Sequence, residues 1–322
     1  MLDQYGRDIR YMRISITDRC NLRCRYCMPQ EEQPEETLLD AEEILRLCAC
    51  AVSLGITRFK ITGGEPLVRA DCPELIRRLK EIPGVEQVTL TTNGLCLSQA
   101  LPSLARAKID GINVSLDTLR PERFREITGR DGWQRVWDGI QEGVRLGIPM
   151  KVNCVLLGGI NEDEILNFVR LARKEPLDVR FIEMMPIGPG KGWAGVGSER
   201  VFEIVRREYP DFAPVSETRG NGPAVYGRIP GFLGCIGWID AVHGKFCQTC
   251  NRVRLTGDGF LKPCLYYASG TDLRALLRRG ASDEELAGAM EQAVRHKPRE
   301  HHFGEKSRDG EAEERNMSQI GG

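Results

Sequence analysis

The sequence lacks the features of a membrane or exported protein. No uninterrupted apolar run approaches the ~20 residues that a membrane span requires. Residues 1–10 are polar and charged, and they lack the apolar core of an export signal. We therefore expect a cytoplasmic protein without a membrane partner.

A surplus of positive charge is also missing. The chain has 45 Lys and Arg residues against 46 Asp and Glu residues, which gives a net charge of −1. A nucleic-acid partner is therefore not expected, and an anionic ligand would need a local cluster of cations. Cysteine is abundant, with 12 residues in 322. In a reducing compartment we expect these cysteines to be thiols or metal ligands instead of disulfides.

Strand and helix patterns alternate along the first part of the chain. This rhythm predicts an α/β fold in which parallel strands place polar residues at their C-terminal ends, where barrels of this type carry their chemistry. Six such units predict a partial, open (β/α)6 TIM-like barrel over residues 1–187. A β-rich stretch, 214–261, lies in a C-terminal region, 188–322, that is expected to close the barrel mouth. The predicted strands are 9–17, 58–62, 85–91, 111–116, 149–156 and 179–184, and the helices between them are 40–54, 72–81, 98–107, 133–146 and 163–174.

The first cysteine group consists of Cys20, Cys24 and Cys27, which directly follow the first predicted strand. Three thiolates at this spacing can hold a four-iron cluster and leave one iron open for another ligand. Buried or disulfide-bonded structural cysteines are one alternative. A zinc knuckle is another, although no Cys or His between Cys27 and Cys48 offers a nearby fourth ligand. Cys48 itself falls on the apolar stripe of a predicted helix and is expected in the core.

The second cysteine group consists of Cys247, Cys250 and Cys264. It predicts either a second iron–sulfur cluster or a zinc site with His243 as the fourth ligand. Between these cysteines, Arg252 and Arg254 alternate on a predicted strand and would point to the same side. Such a pair suits a phosphate, and the alternative is a solvated basic face.

Two further signals accompany the first group. Gly63-Gly64-Glu65-Pro66 follows the second predicted strand, where paired glycines let the backbone approach a ligand and a glutamate can accept from an ammonium group. An acidic loop, 31–36, follows the cysteines.

The Cys-x3-Cys-x2-Cys spacing resembles that of the radical S-adenosylmethionine (SAM) superfamily. Together with GGEP, TTNG, NVSLD, KVN, RFIEMM, FCQTCNRVRLT and the final Gly321-Gly322, it is similar to the GTP 3′,8-cyclase family of molybdenum cofactor biosynthesis. The resemblance implies a lyase with two [4Fe–4S] clusters. The first cluster would cleave SAM, and the resulting radical would take the 3′ hydrogen of GTP, so that C3′ attacks guanine C8. The product would be (8S)-3′,8-cyclo-7,8-dihydroguanosine 5′-triphosphate.

The resemblance also implies roles for particular residues and partners. The second cluster would hold guanine at its open iron. An electron donor such as flavodoxin or ferredoxin, a downstream cyclic pyranopterin monophosphate synthase and possible homodimerisation are implied as well. The residues carried over are Tyr26, Gly64, Ser115 and Met185 for SAM, and Arg13, Lys60, Thr91, Lys151, Arg180, Arg252 and Arg254 for GTP.

Two points depart from a simple transfer of the family pattern. Lys60 replaces an arginine that is frequent in the family, which keeps the charge but not the fork of donors. The charged stretch 295–315 has the composition of a disordered tail, yet the Gly-Gly end would enter the active site by resemblance. The alternatives in function are a radical SAM peptide-modifying maturase with an auxiliary cluster, and a non-enzymatic zinc- or iron-dependent nucleic-acid-binding or sensor protein.

Overall fold

The computed structural model describes residues 1–28, 38–217, 219–305 and 312–321. The acidic loop predicted at 31–36 and the final Gly322 lie outside the described residues. The strands are β1 Tyr11–Ser15, β2 Arg58–Thr62, β3 Gln87–Thr92, β4 Ile112–Ser115, β5 Met150–Leu156, β6 Leu177–Glu183, β7 Ala213–Val215, β8 Val225–Arg228, β9 Ile236–Ile239, β10 Arg252–Leu255, β11 Phe260–Lys262 and β12 Thr271–Asp272. The α-helices are α1 Ala41–Ser53, α2 Cys72–Glu81, α3 Leu97–Arg106, α4 Pro121–Thr128, α5 Trp133–Arg145, α6 Ile165–Lys174, α7 Ser198–Glu208, α8 Leu273–Arg278, α9 Asp283–Arg295 and α10 Met317–Ile320.

The predicted partial barrel is confirmed, and its strands are parallel from β1 to β6. The order in the 12-stranded sheet is β12-β11-β10-β1-β2-β3-β4-β5-β6-β9-β8-β7. The C-terminal region therefore adds a parallel strand at each edge, with β10 beside β1 and β9 beside β6. The division at residue 187 and the closure of the mouth by the C-terminal region stay predictions.

Capping residues explain where two of the helices begin. Asp40 accepts from the backbone N–H of Glu43 and caps α1, as predicted, and Ser282 and Glu285 form the same capping box at α9. Neither α9 nor α4 was predicted from the sequence. The C-cap of α4 is Gly129 at φ 68°, a left-handed position that glycine adopts without steric cost.

The two faces of the sheet differ in chemistry. Side chains such as Phe59 and Ile61 pack outward against the helices, together with Cys48, whose predicted core position is confirmed. The alternate positions point polar groups inward, including Arg13, Lys60 and Asn153. The inside of the barrel is consequently a cavity that carries polar and charged side chains instead of a fully packed apolar core.

Part of the charged stretch 295–315 is packed, so its composition was misleading for the described residues. Lys297 is 2% exposed and Phe303 is 7% exposed. No helix within the described ranges is long and apolar enough to cross a bilayer.

Candidate active site

One cavity of about 680 Å³ brings both cysteine groups together. It is lined by strand residues from β1 to β6 and by the C-terminal region. Every residue that the sequence analysis assigned to a ligand lines it: Arg13, Cys20, Cys24, Tyr26, Cys27, Lys60, Gly64, Thr91, Ser115, Lys151, Arg180, Met185, Cys247, Cys250, Arg252, Arg254 and Cys264.

The first cysteine group lies on the loop that leaves β1. The backbone N–H of Cys27 donates to the carbonyl of Cys24 at 3.0 Å, which turns the loop back on itself. Arg23 N–H donates to Thr128 at 2.8 Å and Arg25 N–H to Ile127 at 3.1 Å, so the end of α4 supports the same loop. Burial raises the pKa of Cys27 to about 12, and it is a free thiol like the other cysteines.

Two buried carboxyl groups lie beside the first group. Glu65 is fully buried and accepts from the Thr92 hydroxyl at 2.7 Å and from the Asn93 backbone at 2.6 Å. Burial raises the pKa of Glu65 to about 7 in spite of these hydrogen bonds. Asp117 accepts from the Tyr26 hydroxyl at 2.7 Å, and burial raises the pKa of Asp117 to about 6.

Gly64 is required where the GGEP segment meets the cysteine loop. Its N–H donates to the carbonyl of Thr17 at 2.7 Å. A Cβ at Gly64 would collide with the carbonyl oxygens of Asp18 and Arg19. This packing alone explains the glycine, and its contact with SAM stays a prediction.

The second cysteine group is assembled from two elements. Cys247 and Cys250 flank a short 3-10 turn, with Cys250 N–H donating to Cys247 at 3.2 Å, and Cys264 follows β11. The buried Arg7 donates to the carbonyl of Cys247 at 2.9 Å. Lys297 donates to the carbonyls of Arg252, at 2.9 Å, and Pro263.

Cations change the acidity of this second group. Burial by itself opposes ionisation of Cys250, but the charges of Arg252 and Lys297 outweigh it and lower the pKa of Cys250 to about 6. The Arg252 guanidinium lies over the Phe246 ring at 4.7 Å. Its Nε is buried without a hydrogen-bond partner among the described residues.

A row of cations crosses the cavity. Strand register places Arg13 between Arg254 and Lys60. The pKa of Lys60 is well below its ordinary value because the side chain is buried and because Arg180, Arg13 and Lys151 repel its charge. Burial and the neighbouring Arg13 likewise depress the pKa of Arg254. An anion at this row would relieve the repulsion.

Two predicted cations already have protein partners. Lys151 forms an ion pair with Asp178 at 3.0 Å and donates to the carbonyl of Arg219 at 2.7 Å. Arg180 donates to Asn153 at 2.8 Å. The sequence analysis missed Asp178 and Arg219, although Asp178 occupies an alternate position to Arg180 on β6 and could have been found by that periodicity.

The zinc interpretation that relied on His243 stays a prediction. The His243 ring is paired with the carboxylate of Glu183 through one ring nitrogen, an arrangement that leaves the other nitrogen available to a metal. Across the described part of the chain, no three Cys, His, Asp or Glu side chains meet at the spacing of a single metal ion. Thiolates are the usual ligands of iron–sulfur clusters and are also ligands of zinc, so the donor chemistry of both cysteine groups fits a cluster.

The end of the chain reaches the cavity. The carbonyl of Gly321 accepts from Arg254 Nη1 at 2.5 Å, and Met317 lines the cavity wall. Gly321 has φ 73° and lies close to Thr62 and Ser15. Gly321 thus contacts Arg254, which lines the cavity, and the entry of the Gly-Gly end into the active site stays a prediction.

Comparisons with known proteins agree with this architecture. The model of the radical SAM superfamily matches residues 14–172, and the model called Molybdenum Cofactor Synthesis C matches residues 177–303. The crystal structure of Streptococcus suis SuiB bound to S-adenosylmethionine has a TM-score of 0.66 at 17% identity, covering 90% of this chain and 68% of that one. Fold and site thus define a radical SAM enzyme that uses SAM and an iron–sulfur cluster.

Sequence relatives identify the family. The GTP 3′,8-cyclases of Moorella thermoacetica and of Clostridium perfringens strain SM101 are 47% and 42% identical, each over 100% of both chains. Molybdenum cofactor biosynthesis protein 1 of Drosophila melanogaster is 44% identical over 94% of this chain and 54% of that protein. The chain belongs to the GTP 3′,8-cyclase family.

Proposed function

We propose that this protein is a GTP 3′,8-cyclase, a lyase that converts GTP to (8S)-3′,8-cyclo-7,8-dihydroguanosine 5′-triphosphate in the first step of molybdenum cofactor biosynthesis. The observation that carries the proposal is the single cavity shared by two three-cysteine groups and a row of cations. Family membership supports the same activity.

The first cysteine group would hold a [4Fe–4S] cluster with SAM at its open iron. When bound, this pair would supply the radical chemistry for removal of the 3′ hydrogen of the GTP ribose; closing the C3′–C8 bond would then need one electron from the external reductant and one proton, which together give an isomer of GTP. Tyr26, Gly64, Ser115 and Met185 would contact SAM. Tyr26 is held by Asp117, and this contact orients the ring beside the cysteine loop.

Cys247, Cys250 and Cys264 would hold a second [4Fe–4S] cluster, which would offer a binding position for guanine. The buried Nε of Arg252, which has no hydrogen-bond partner among the described residues, and the cationic row suit the other end of GTP, since a triphosphate carries about four negative charges. Arg13, Lys60, Lys151, Arg180, Arg252 and Arg254 would neutralise it, and Thr91 would donate a hydrogen bond. Fixing both nucleosides in one enclosed cavity aligns the reacting carbons and excludes competing hydrogen donors.

The proposed reaction needs a protein that donates electrons and a protein that takes up the product, and both would be partners of this chain. We propose flavodoxin or ferredoxin as the reductant and cyclic pyranopterin monophosphate synthase as the recipient of the product. Homodimerisation belongs to the same proposal.

The test is an anaerobic assay with GTP, SAM and a strong reductant, read by mass spectrometry, after reconstitution with iron and sulfide. The expected product has the mass of GTP and appears together with methionine and 5′-deoxyadenosine. Two clusters require roughly eight irons per chain. Stoichiometric zinc at the second cysteine group would contradict the second cluster, and absence of an isomer of GTP would contradict the activity.

A further inference from the structure

The described C-terminal residues, 312–321, follow a defined path into the cavity, and we call them the terminal segment. Ala312 bridges to Tyr267, and Glu313 N–H donates to the carbonyl of Tyr266 at 2.7 Å. The short helix α10 follows, with Ile320 fully buried. The segment ends where Gly321 accepts from Arg254.

An ion pair holds the start of this segment. The carboxylate of Glu313 accepts from the Lys262 ammonium, and the two side chains are 3% and 0% exposed. Lys262 also donates to the carbonyl of Tyr267. The other carboxylate oxygen of Glu313 accepts from the backbone N–H of Arg315 at 3.0 Å and from its Nε at 3.1 Å. Both charges are therefore compensated inside the protein, as buried charges require.

The two ends of the segment attach to the same place in the sheet. Lys262 and Arg254 are cross-strand neighbours on β11 and β10. Glu313 binds one member of this pair and Gly321 binds the other, so the segment forms a loop that starts and finishes at one point of the sheet. A shift of Glu313 by one residue would move Gly321 away from Arg254.

The loop also touches the first cysteine group. The backbone of Ser318 forms a hydrogen bond with Cys27, and Asn316 lies close to Gly188. The terminal segment consequently spans from the β10–β11 hairpin, which carries Arg252 and Arg254, to the loop that carries Cys27.

We propose that the buried Lys262–Glu313 ion pair is a positioning pair, which sets the register of the terminal segment and so holds Gly321 on Arg254 and Ser318 on Cys27. An apolar contact could bury as much surface, but it would let the segment shift by a residue along the sheet. A buried charge must stay next to its partner of opposite charge, so the ion pair allows one register. The role in catalysis rests on the proposed function, but the register itself does not.

Hydrogen exchange read by mass spectrometry tests the register directly, on the full-length protein with and without reconstituted clusters. In Glu313→Gln, which keeps the shape and removes the charge, the peptide covering the terminal segment should exchange at least about tenfold faster. The β10–β11 hairpin should exchange as in the wild type. Glu314→Gln is the matched control, since it removes the same charge from the neighbouring exposed side chain. Unchanged exchange in Glu313→Gln, or faster exchange spread over β10 and β11, would overturn the proposal.

Two further variants separate register from simple burial. Lys262→Met should reproduce the effect of Glu313→Gln from the other side of the pair. Lys262→Met combined with Glu313→Leu should recover the thermal midpoint lost in Lys262→Met, yet leave the terminal segment rapidly exchanging. Recovery of protection in this apolar pair would show that burial, not charge, positions the segment.

Activity gives the second readout. In Glu313→Gln the number of SAM molecules cleaved per GTP cyclised should rise by at least about tenfold, while SAM cleavage itself continues. An unchanged ratio would overturn the catalytic part. If the wild type makes no product from GTP, the proposed function fails, and the exchange experiment still decides whether the pair positions the segment.

Discussion

The first and second cysteine groups are supported in different ways. Cys20, Cys24 and Cys27 lie on one loop, and its turn is closed by local backbone hydrogen bonds. Cys247, Cys250 and Cys264 come from two elements and are joined by residues distant in sequence, such as Arg7, whose contact with Cys247 spans 240 positions. The first group is thus a local motif, whereas the second exists only in the folded protein.

The two groups also lie among opposite charges. Buried Glu65 and Asp117 stand beside the first group, and burial together with Asp117 raises the pKa of its thiols. Arg252 and Lys297 stand beside the second group and lower the pKa of Cys250. This asymmetry suits the two ligands of the proposed reaction, because SAM carries a sulfonium and an ammonium while GTP is a polyanion. Under the proposed function, we therefore expect the half of the cavity near the first group to bind SAM and the half near the second group to bind GTP.

Removing one thiol from each group is the strongest test of this division. Cys24→Ser should abolish reductive SAM cleavage, and with it cyclisation. Cys264→Ser should abolish cyclisation but leave uncoupled SAM cleavage, because the first group remains intact. The measurement is 5′-deoxyadenosine and GTP isomer by mass spectrometry, with Cys48→Ala as a control in the core. If Cys264→Ser still cyclised GTP, the second cysteine group would not be needed for cyclisation, and the proposed division of roles between the two groups would be wrong.

The second-largest effect is expected from a change at Arg7, which is distant in sequence from the second group and contacts Cys247. Arg7→Met leaves Asp3 as an unpaired buried carboxylate and releases the carbonyl of Cys247. Breaking such a buried pair costs about 3–5 kcal/mol. Iron content should therefore fall from roughly eight to roughly four per chain, with SAM cleavage retained.

Arg10→Met is the matched control for that variant, because Arg10 forms an exposed pair with Asp8 and should change nothing measurable. An equal loss of iron from both cysteine groups in Arg7→Met would show that the arginine stabilises the whole fold instead of the second group.

The same contrast explains what could be predicted from the sequence. The strand Arg58–Thr62 and the cap Asp40 were found because their signals are local, and the first cysteine group for the same reason. Arg7 gave no signal, since its role depends on partners that only the fold brings near, whereas Asp178 could have been found from its alternation with Arg180 on β6. For the C-terminal part of the chain, composition predicted disorder over 295–315, whereas the resemblance implied that the Gly-Gly end enters the active site. Composition was misleading because it does not report the burial of Lys262 with Glu313.

The acid beside the first group predicts a pH dependence of stability. The pKa of Glu65 is about 7 in the folded protein, against an ordinary value of 4.5. Glu65 therefore keeps its proton to a higher pH in the folded state than in the unfolded state. As a result, the free energy of unfolding falls as pH rises from about 4.5 through about 7. The loss approaches about 3 kcal/mol, since one pKa unit corresponds to about 1.4 kcal/mol.

Urea unfolding of wild type and Glu65→Gln between pH 5 and pH 8 measures this term. The variant should lack the decline, so the difference in unfolding free energy between the two proteins should change with pH. Glu126→Gln on the exposed face of α4 is the control. If the unfolding free energies of wild type and Glu65→Gln changed with pH in parallel, Glu65 would not be a buried acid with a raised pKa beside the first group.

Substituting Arg252, the cation beside the second group, should give the smallest effect among these predictions. The effect should also be selective, because the KM for GTP should change more than the KM for SAM. Arg252 has a buried Nε that lacks a partner among the described residues, and it lies between Cys250 and the cationic row. Losing one charge-assisted contact to a phosphate costs about 1.5–3 kcal/mol, so Arg252→Ala should raise the KM for GTP by roughly ten- to a hundredfold. The KM for SAM should stay within about twofold, because SAM is proposed to bind in the other half of the cavity. Arg252→Lys keeps the charge without the fork of donors and should fall between the two. If Arg252→Ala raised both constants equally, the two halves of the cavity would not be matched to separate ligands, and the comparison between the cysteine groups would reduce to a difference in how they fold.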